Sequence, residues 1–430
     1  MTTGGYFADP TNRVRADFVI EHTAGIATCL SPLHPRKGRS QGDVSMFPPG
    51  SAIAAYEGRI VSVGWGELSE FVDVQPGATR IDASGCLVIP GFVDPHTHIV
   101  YAGDRRHELQ RRLAGATYAE IAAEGGGILG TVAATRAASE EELLTSARGR
   151  LDEMLACGTT TCEAKSGYGL TTESELKQLR VVRALNDSHP IDIVPTFLGA
   201  HDVPPEYRER RAEYVTLVTD EMIPRVAEAG LAIYCDVFCD EGAFTPEEAT
   251  TILEAGRRHR LRPRIHADEL ARSGGSLVAA RIGARSADHL VFVDEQGADA
   301  MAKRNVCAVL LPTAAFYLKL GRFAPARMLI EHDVPVALAT DVNPGGGFSP
   351  SMPFAMALAC FEMNMTLEEA LVAATVNAAW SLDRADTVGS LQSGRLMDAV
   401  LVKGNLAELV RVGAPAIRMV IKRGEVVGGS

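Results

Sequence analysis

Val88-Ile89-Pro90-Gly91-Phe92-Val93-Asp94-Pro95-His96-Thr97-His98 runs apolar and then stops abruptly in two histidines spaced i, i+2. On an extended strand, residues two apart face the same side. Both imidazoles therefore reach one point just where the strand stops, and neutral imidazole is the commonest metal-binding side chain. A bare His-x-His would pass as two surface histidines. The Pro-Gly turn, the apolar run and Asp94 ahead of the pair favour a metal site, which residues further along must complete.

Working outward, residues 88–390 alternate strand-like and helical stretches. After the opening strand come strand candidates at 159–165, 191–198, 232–238, 264–267, 286–290, 307–311 and 335–341, eight in all. Helical stretches such as 139–156, 173–185 and 246–259 separate several of them. Thr245-Pro246-Glu247-Glu248 is a strong helix start, with an N-cap threonine, proline at the first position and acids in the first turn. Eight parallel βα units predict a (β/α)₈ TIM barrel. A doubly wound open sheet has the same alternation and stands as the runner-up.

The flanks read differently. Residues 1–14 look like a loose leader, and residues 16–86 like short strands and turns. Asp17-Phe18-Val19-Ile20 is strand-like, and Glu57-Gly58 reads as a hairpin turn between 52–56 and 59–64. Residues 31–50, rich in proline and glycine, read as a long loop. The C-terminus repeats the strand style at 398–402 and 417–421, with a turn at 422–425 and a last short strand. Two such separated segments can close one small sheet domain. The expected division is therefore 1–87 and 391–430 around a barrel of 88–390.

With 430 residues, 46% hydrophobic and 22% charged, the composition is that of a soluble globular enzyme. A net charge of −12 argues against nucleic acid or an acidic membrane as the main partner. No apolar run is long enough to span a bilayer, and the N-terminus lacks a signal-peptide core, so a cytoplasmic protein is expected. The eight scattered cysteines match no zinc-ribbon or redox spacing.

Barrel enzymes keep their chemistry at the C-terminal ends of the strands. Those ends carry His96 and His98, then Glu163, Lys165 and Tyr168, then His201 and Asp202. Further on they carry His266, Asp268 and Glu269, then His289, then Asp341 and Asn343. Five of the eleven histidines fall there, which isolated core histidines do not explain. His96, His98, His266 and Asp341 offer three nitrogens and one oxygen, a set suited to one divalent zinc or iron with a position left for an activated water. The fourth strand offers Asp236, Cys239 and Glu241 but no lysine to bridge a second metal, and Lys165 reads as a supporting salt bridge.

The opening stretch resembles the first-strand signature of the metal-dependent amidohydrolase superfamily. More narrowly, six further motifs resemble those of the imidazolonepropionase family. They are Gly103-Asp104-Arg105-Arg106-His107-Glu108, Gly125-Gly126-Gly127-Ile128, Lys165-Ser166-Gly167-Tyr168-Gly169-Leu170, Phe197-Leu198-Gly199-Ala200-His201 and His266-Ala267-Asp268-Glu269. Thr340-Asp341-Val342-Asn343-Pro344-Gly345 completes the set, which spans nearly the whole barrel in order.

The resemblance implies a distorted barrel with a small β-sandwich made from both termini. It implies hydrolysis of 4-imidazolone-5-propanoate to N-formimidoyl-L-glutamate in histidine degradation, by a homodimer. By similarity, His96, His98, His266 and Asp341 hold the metal, while Glu269, His289 and Asp341 divide the acid and base roles. Arg105 would bind the substrate's propionate, with Arg106 read as a surface charge. Tyr168, His201, Glu269, Asn343, Gly345 and Gly346 match positions that hold substrate. Gly346 departs from the pattern, because a hydroxyl residue commonly follows the glycine there. The rivals are a purine or pyrimidine deaminase or a cyclic-amide hydrolase on the same scaffold, and a non-catalytic relative. Retention of all four ligand candidates places the last far behind.

Overall fold

The computed structural model describes residues 13–31, 33–66, 68–116, 120–121 and 126–429. Most of the leader, Pro32 of the long loop and Gly125 of the glycine run lie outside the described residues.

Eight parallel strands form one sheet in sequential order. They are β1 (Phe92–Asp94), β2 (Thr159–Lys165), β3 (Asp192–Ala200), β4 (Tyr234–Cys239), β5 (Arg262–Ala267), β6 (Ser286–His289), β7 (Cys307–Leu310) and β8 (Val336–Leu338). The ring closes just beyond the ends of β8 and β1. There the Thr340 amide donates to Asp94 Oδ1 at 3.1 Å and the Thr340 hydroxyl to Asp94 Oδ2. The Asp341 amide donates to the His96 carbonyl at 3.1 Å, and the His98 amide to the Val342 carbonyl at 2.8 Å. An open doubly wound sheet is thereby excluded.

Period-two alternation sorts the side chains into layers. Cys162, Ala164, Ile265 and Ala287 face outward into the large core shared with the helices. Val93, Val194, Tyr234, Val309 and Ala337 face inward and pack the barrel floor. Two residues further along, Asp236 follows Tyr234, and Arg264 sits one layer below His266. The helix Pro246–Arg258 starts as expected, with Thr245 and Glu248 capping each other reciprocally.

The terminal segments form two further sheets. One has the order Arg59–Gly64, Ala52–Tyr56, Val14–Glu21, Val72–Asp82. The other has the order Glu425–Gly428, Ile417–Lys422, Ala399–Lys403, Cys86–Pro90, Gly25–Ala27, Met46–Phe47, and so mixes both ends of the chain. Phe18, Ile53, Val88, Leu401 and Ile421 pack between them.

The opening apolar run is two strands. Cys86–Pro90 pairs with Ala399–Lys403, and only Phe92–Asp94 belongs to the barrel. Pro90 contributes no amide proton at the junction. Gly91 passes so close to β2 that a Cβ there would lie 2.3 Å from Thr160 Oγ1. The expected 31–50 loop carries a 3₁₀ turn, Gly38–Gly42, and a short strand, Met46–Phe47. Among the described residues no helix is long and apolar enough to cross a membrane.

Lys422 joins the C-terminal segment to the barrel floor. Its ammonium donates to Asp398 Oδ2 at 2.7 Å, Asp192 Oδ2 at 2.9 Å and the Thr160 carbonyl at 2.9 Å. A Lys422→Met variant leaves the buried Asp398 without its cation, while the half-buried Asp192 keeps Arg423 at 2.6 Å, and the loss costs about 3 kcal/mol. We expect a correspondingly lower urea midpoint with an unchanged denaturant slope.

Candidate metal centre and active site

Above the apolar floor lies a layer of fully buried charge. Lys165 Nζ sits 2.6 Å from Glu163 Oε1, 2.7 Å from Asp236 Oδ2 and 3.7 Å from Asp288 Oδ2. Arg264 lies 3.3 Å from Asp288 Oδ2 and donates to the Pro95 carbonyl at 2.8 Å. Buried ions persist only when paired and hydrogen-bonded, and these are. Burial works against Asp236 being ionised, but His266 and Lys165 hold its carboxyl well below the usual range.

Two of these carboxylates face the histidines above them. Asp288 Oδ2 is 2.7 Å from His96 Nδ1, and Asp236 Oδ2 is 3.1 Å from His266 Nδ1. A carboxylate accepts, so the hydrogen bond to Asp288 puts the proton on His96 Nδ1 and turns its Nε2 lone pair inward, while Asp236 lies beside His266 Nδ1 without hydrogen-bond alignment. Burial, aided by Lys165 and neighbouring imidazoles, pushes His96 well below the ordinary histidine range. His98 is pushed the same way by burial and by His201 and His266.

The inward donors converge. His98 Nε2 lies 3.3 Å from His96 Nε2 and 3.5 Å from His266 Nε2. Asp341 Oδ1 is 3.6 Å from both His96 Nε2 and His98 Nε2, and it has no hydrogen-bond partner among the described residues. Donor atoms around a tetrahedral ion with bonds of about 2.1 Å sit about 3.4 Å apart. Neutral lone pairs at such separations repel unless a cation lies among them. The donor set thus fits a divalent metal. His96, His98 and Asp341 form one trio whose donor atoms lie within 4.8 Å of one another. His98, His201 and His266 form a second, and His96, His266 and His289 a third.

The backbone at these strand ends is strained. His289, Asp268 and Asp341 all sit at positive φ, at 76°, 51° and 55°. Such conformations cost energy in non-glycine residues and gather at functional sites. Buried hydrogen bonds hold two of them: Asp268 accepts from the amides of Ser273 and Gly274 at 3.0 and 2.8 Å, and Asp341 is fixed by the His96 carbonyl.

The remaining expected residues surround this point. Apart from His96, which lies beneath, and Gly345, which lies behind Arg105, every expected site residue lines one cavity. His289 Nδ1 is 3.4 Å from Glu269 Oε1, and Asp240 anchors the Glu269 amide at 2.6 Å. Burial, with Asp341 and Asp240 adding to it, pushes Glu269 well above the usual carboxylate range. His201 stacks on His98 with ring centroids 5.0 Å apart, and its Nδ1 donates to the Gly167 carbonyl at 3.0 Å. The Tyr168 ring lies 5.2 Å from that of His201. Arg105 is buried and Arg106 exposed, as the sequence suggested.

Asn343 is committed to its own loop. Its Oδ1 accepts from the amides of Gly345 at 2.7 Å and Gly346 at 2.6 Å, and its Nδ2 donates to the Asp341 carbonyl at 2.9 Å. A Cβ at Gly345 would stand 2.3 Å from the Arg105 guanidinium carbon, so a side chain there would displace the guanidinium. Sequence reasoning passed over Asp288, Arg264, Glu108 and Arg112. Asp288 falls on the inward face of β6 and Glu108 one helical turn after Arg105, and those spacings were the available signals.

The sequence model described as "Amidohydrolase family" matches residues 87–427. Imidazolonepropionase of Geobacillus thermodenitrificans (strain NG80-2) is 49% identical over 397 residues, covering 91% of this chain and 93% of that one. Imidazolonepropionase of Brevibacillus brevis is 48% identical over 413 residues, covering 95% and 97%. Among solved structures, a triazine hydrolase variant superposes with a TM-score of 0.73 at 16% identity, covering 96% of this chain and 94% of that one. A zinc-bound adenosine deaminase from Xanthomonas campestris does so with 0.69 at 18%, covering 96% and 93%. At those identities the structural likeness is one of fold. The chain belongs to the amidohydrolase family and, within it, to the imidazolonepropionases.

Proposed function

We propose that the protein hydrolyses 4-imidazolone-5-propanoate to N-formimidoyl-L-glutamate. The observation that carries this reading is one cavity that brings a buried guanidinium, Arg105, together with converging imidazoles and an unpartnered carboxylate oxygen. Relatives bearing the imidazolonepropionase name at close to half identity point the same way. In the reaction, water adds to the ring carbonyl carbon, the carbon–nitrogen bond breaks, and the nitrogen leaves with a proton as part of the formimidoyl group.

A zinc or iron ion held by His96, His98, His266 and Asp341 would supply the Lewis acidity that polarises the carbonyl and makes water nucleophilic near neutral pH. The chain's own groups do the rest. Arg105 takes the propionate as a charge-assisted partner. Tyr168 and His201 wall the ring. His201 presents Nε2, because its Nδ1–H is spent on Gly167. Glu269 and His289 stand together where a proton passes between water and the ring nitrogen, and Asp341 shares that work. Glu269 contacts substrate from the same wall. Asn343 holds the loop by accepting from the Gly345 and Gly346 amides, so that Gly345 backs Arg105 and Gly346 lines the cavity.

The same reading assigns the barrel to catalysis and the two terminal segments to the supporting sheets, with the N-terminal boundary moved from 87 to 90 because Cys86–Pro90 pairs with Ala399–Lys403. It takes the enzyme as cytoplasmic, in keeping with eight free cysteines, and as a homodimer by family analogy.

Purified protein should open imidazolonepropionate and leave guanine and dihydropyrimidines untouched; turnover of either rival instead would overturn the assignment. Stripping with a strong chelator should abolish activity, and zinc or iron should restore it. Asp288→Asn removes the carboxylate that orients His96, and metal affinity measured by chelator competition should fall about 10–100-fold. Arg105→Gln should lower kcat/KM by about 10–100-fold, the worth of a hydrogen-bonded charge.

A further inference from the structure

We propose that Glu108 is a positioning residue that aims Arg105 at the substrate carboxylate and couples that recognition to the glycine loop. This rests on the carboxylate-binding role of Arg105 given above.

Arg105 is the N-cap of the helix Arg106–Leu113. Glu108 follows by three residues and Arg112 by seven, so all three lie on one helical face. Glu108 is buried and grips the guanidinium by one edge, accepting from Arg105 Nε at 2.9 Å on Oε1 and from Nη2 at 2.8 Å on Oε2. Its Oε1 also accepts from the Gly127 amide at 2.8 Å, which fixes the start of the helix Ile128–Ala137. Gly126 packs against it so closely that a Cβ would stand 3.0 Å from Glu108 Oε1. Arg112 Nη2 donates to the Gly345 carbonyl at 2.6 Å, and the Arg105 guanidinium lies over the Gly345 backbone. The guanidinium is thus clamped by its edge and by its face. Ile128 and Arg105 both line the cavity, so one carboxylate ties together two of its walls.

A free arginine loses about 2 kcal/mol of rotamer freedom when it is fixed. A guanidinium already held in place spares an incoming ligand that cost, which is preorganisation. Opposing this, a carboxylate beside an anion site repels the anion. The two effects predict opposite signs. If Glu108 were only a nearby charge, removing it would tighten binding of an anionic substrate. If it positions Arg105, removing it weakens binding.

The test compares imidazolonepropionate with its carboxamide counterpart, on holoenzyme, for Glu108→Gln, Arg105→Gln and the double variant. We expect Glu108→Gln to raise KM for the acid about tenfold or more, the scale of a lost preorganised contact. It should leave kcat nearly unchanged, leave the carboxamide unaffected, and add nothing in the Arg105→Gln background. An unchanged or lower KM for the acid overturns the proposal, as does equal loss on both substrates. Should Glu108→Gln fail to fold, Glu108→Asp, which keeps the charge but withdraws it by one methylene, is read by the same criteria. Arg105→Gln separates the two levels of the argument. If it does not erase the preference for acid over amide, the carboxylate reading of Arg105 itself fails. If it does and the Glu108 variants do not, only the positioning role fails.

Discussion

Everything at the mouth of this barrel depends on where two carboxylates beneath it point. Asp288 and Asp236 each turn an oxygen to an imidazole Nδ1, and Asp288, accepting from His96, decides which nitrogen of that ring faces the cavity. They are fixed because Lys165 and Arg264 sit among them, away from water. Removing any member would leave a buried charge without its partner, so the layer is held all-or-none. The strain at Asp341 and His289 is tolerable on such a base, since a rigid scaffold over-determines the backbone it carries.

Barrel closure and the site are one event. The bonds that close the ring run from Asp341 to the His96 carbonyl and from His98 to the Val342 carbonyl, the segments that carry the donors. The same segment is tied on its other side, where the Lys165 amide donates to the Thr97 carbonyl at 3.0 Å. Backbone hydrogen bonds thus hold the ends of β1 and β8 together.

Much of this was legible in the chain. Strand ends were readable because most of the apolar runs stop at a histidine or an acid, and helix starts such as Thr245-Pro246 announced themselves through capping chemistry. The bounds of β2 match the expected 159–165. What stayed hidden has physical reasons. Val88 to Asp94 reads as one strand because hydrophobicity says nothing of which sheet receives it; the switch at Gly91 depends on its close approach to Thr160. Val72–Asp82 is mostly exposed and interrupted by Pro76-Gly77, so its pattern is faint. Asp288 and Glu108 look like ordinary acids until folding removes their water. Asn343 was expected to touch substrate, yet its side-chain oxygen is occupied by the amides of its own loop.

The pairing of Cys86–Pro90 with Ala399–Lys403 has a consequence for biosynthesis. A ribosome delivers the first strand long before the second. Throughout that interval the nascent sheet presents an apolar edge with unmet amides and carbonyls, the kind of surface that recruits chaperones or neighbouring chains. Contacts this distant in sequence also form slowly. Productive maturation of this polypeptide is therefore gated by the emergence of its last strands, and truncations there should be felt as aggregation during expression before they are felt as lost turnover.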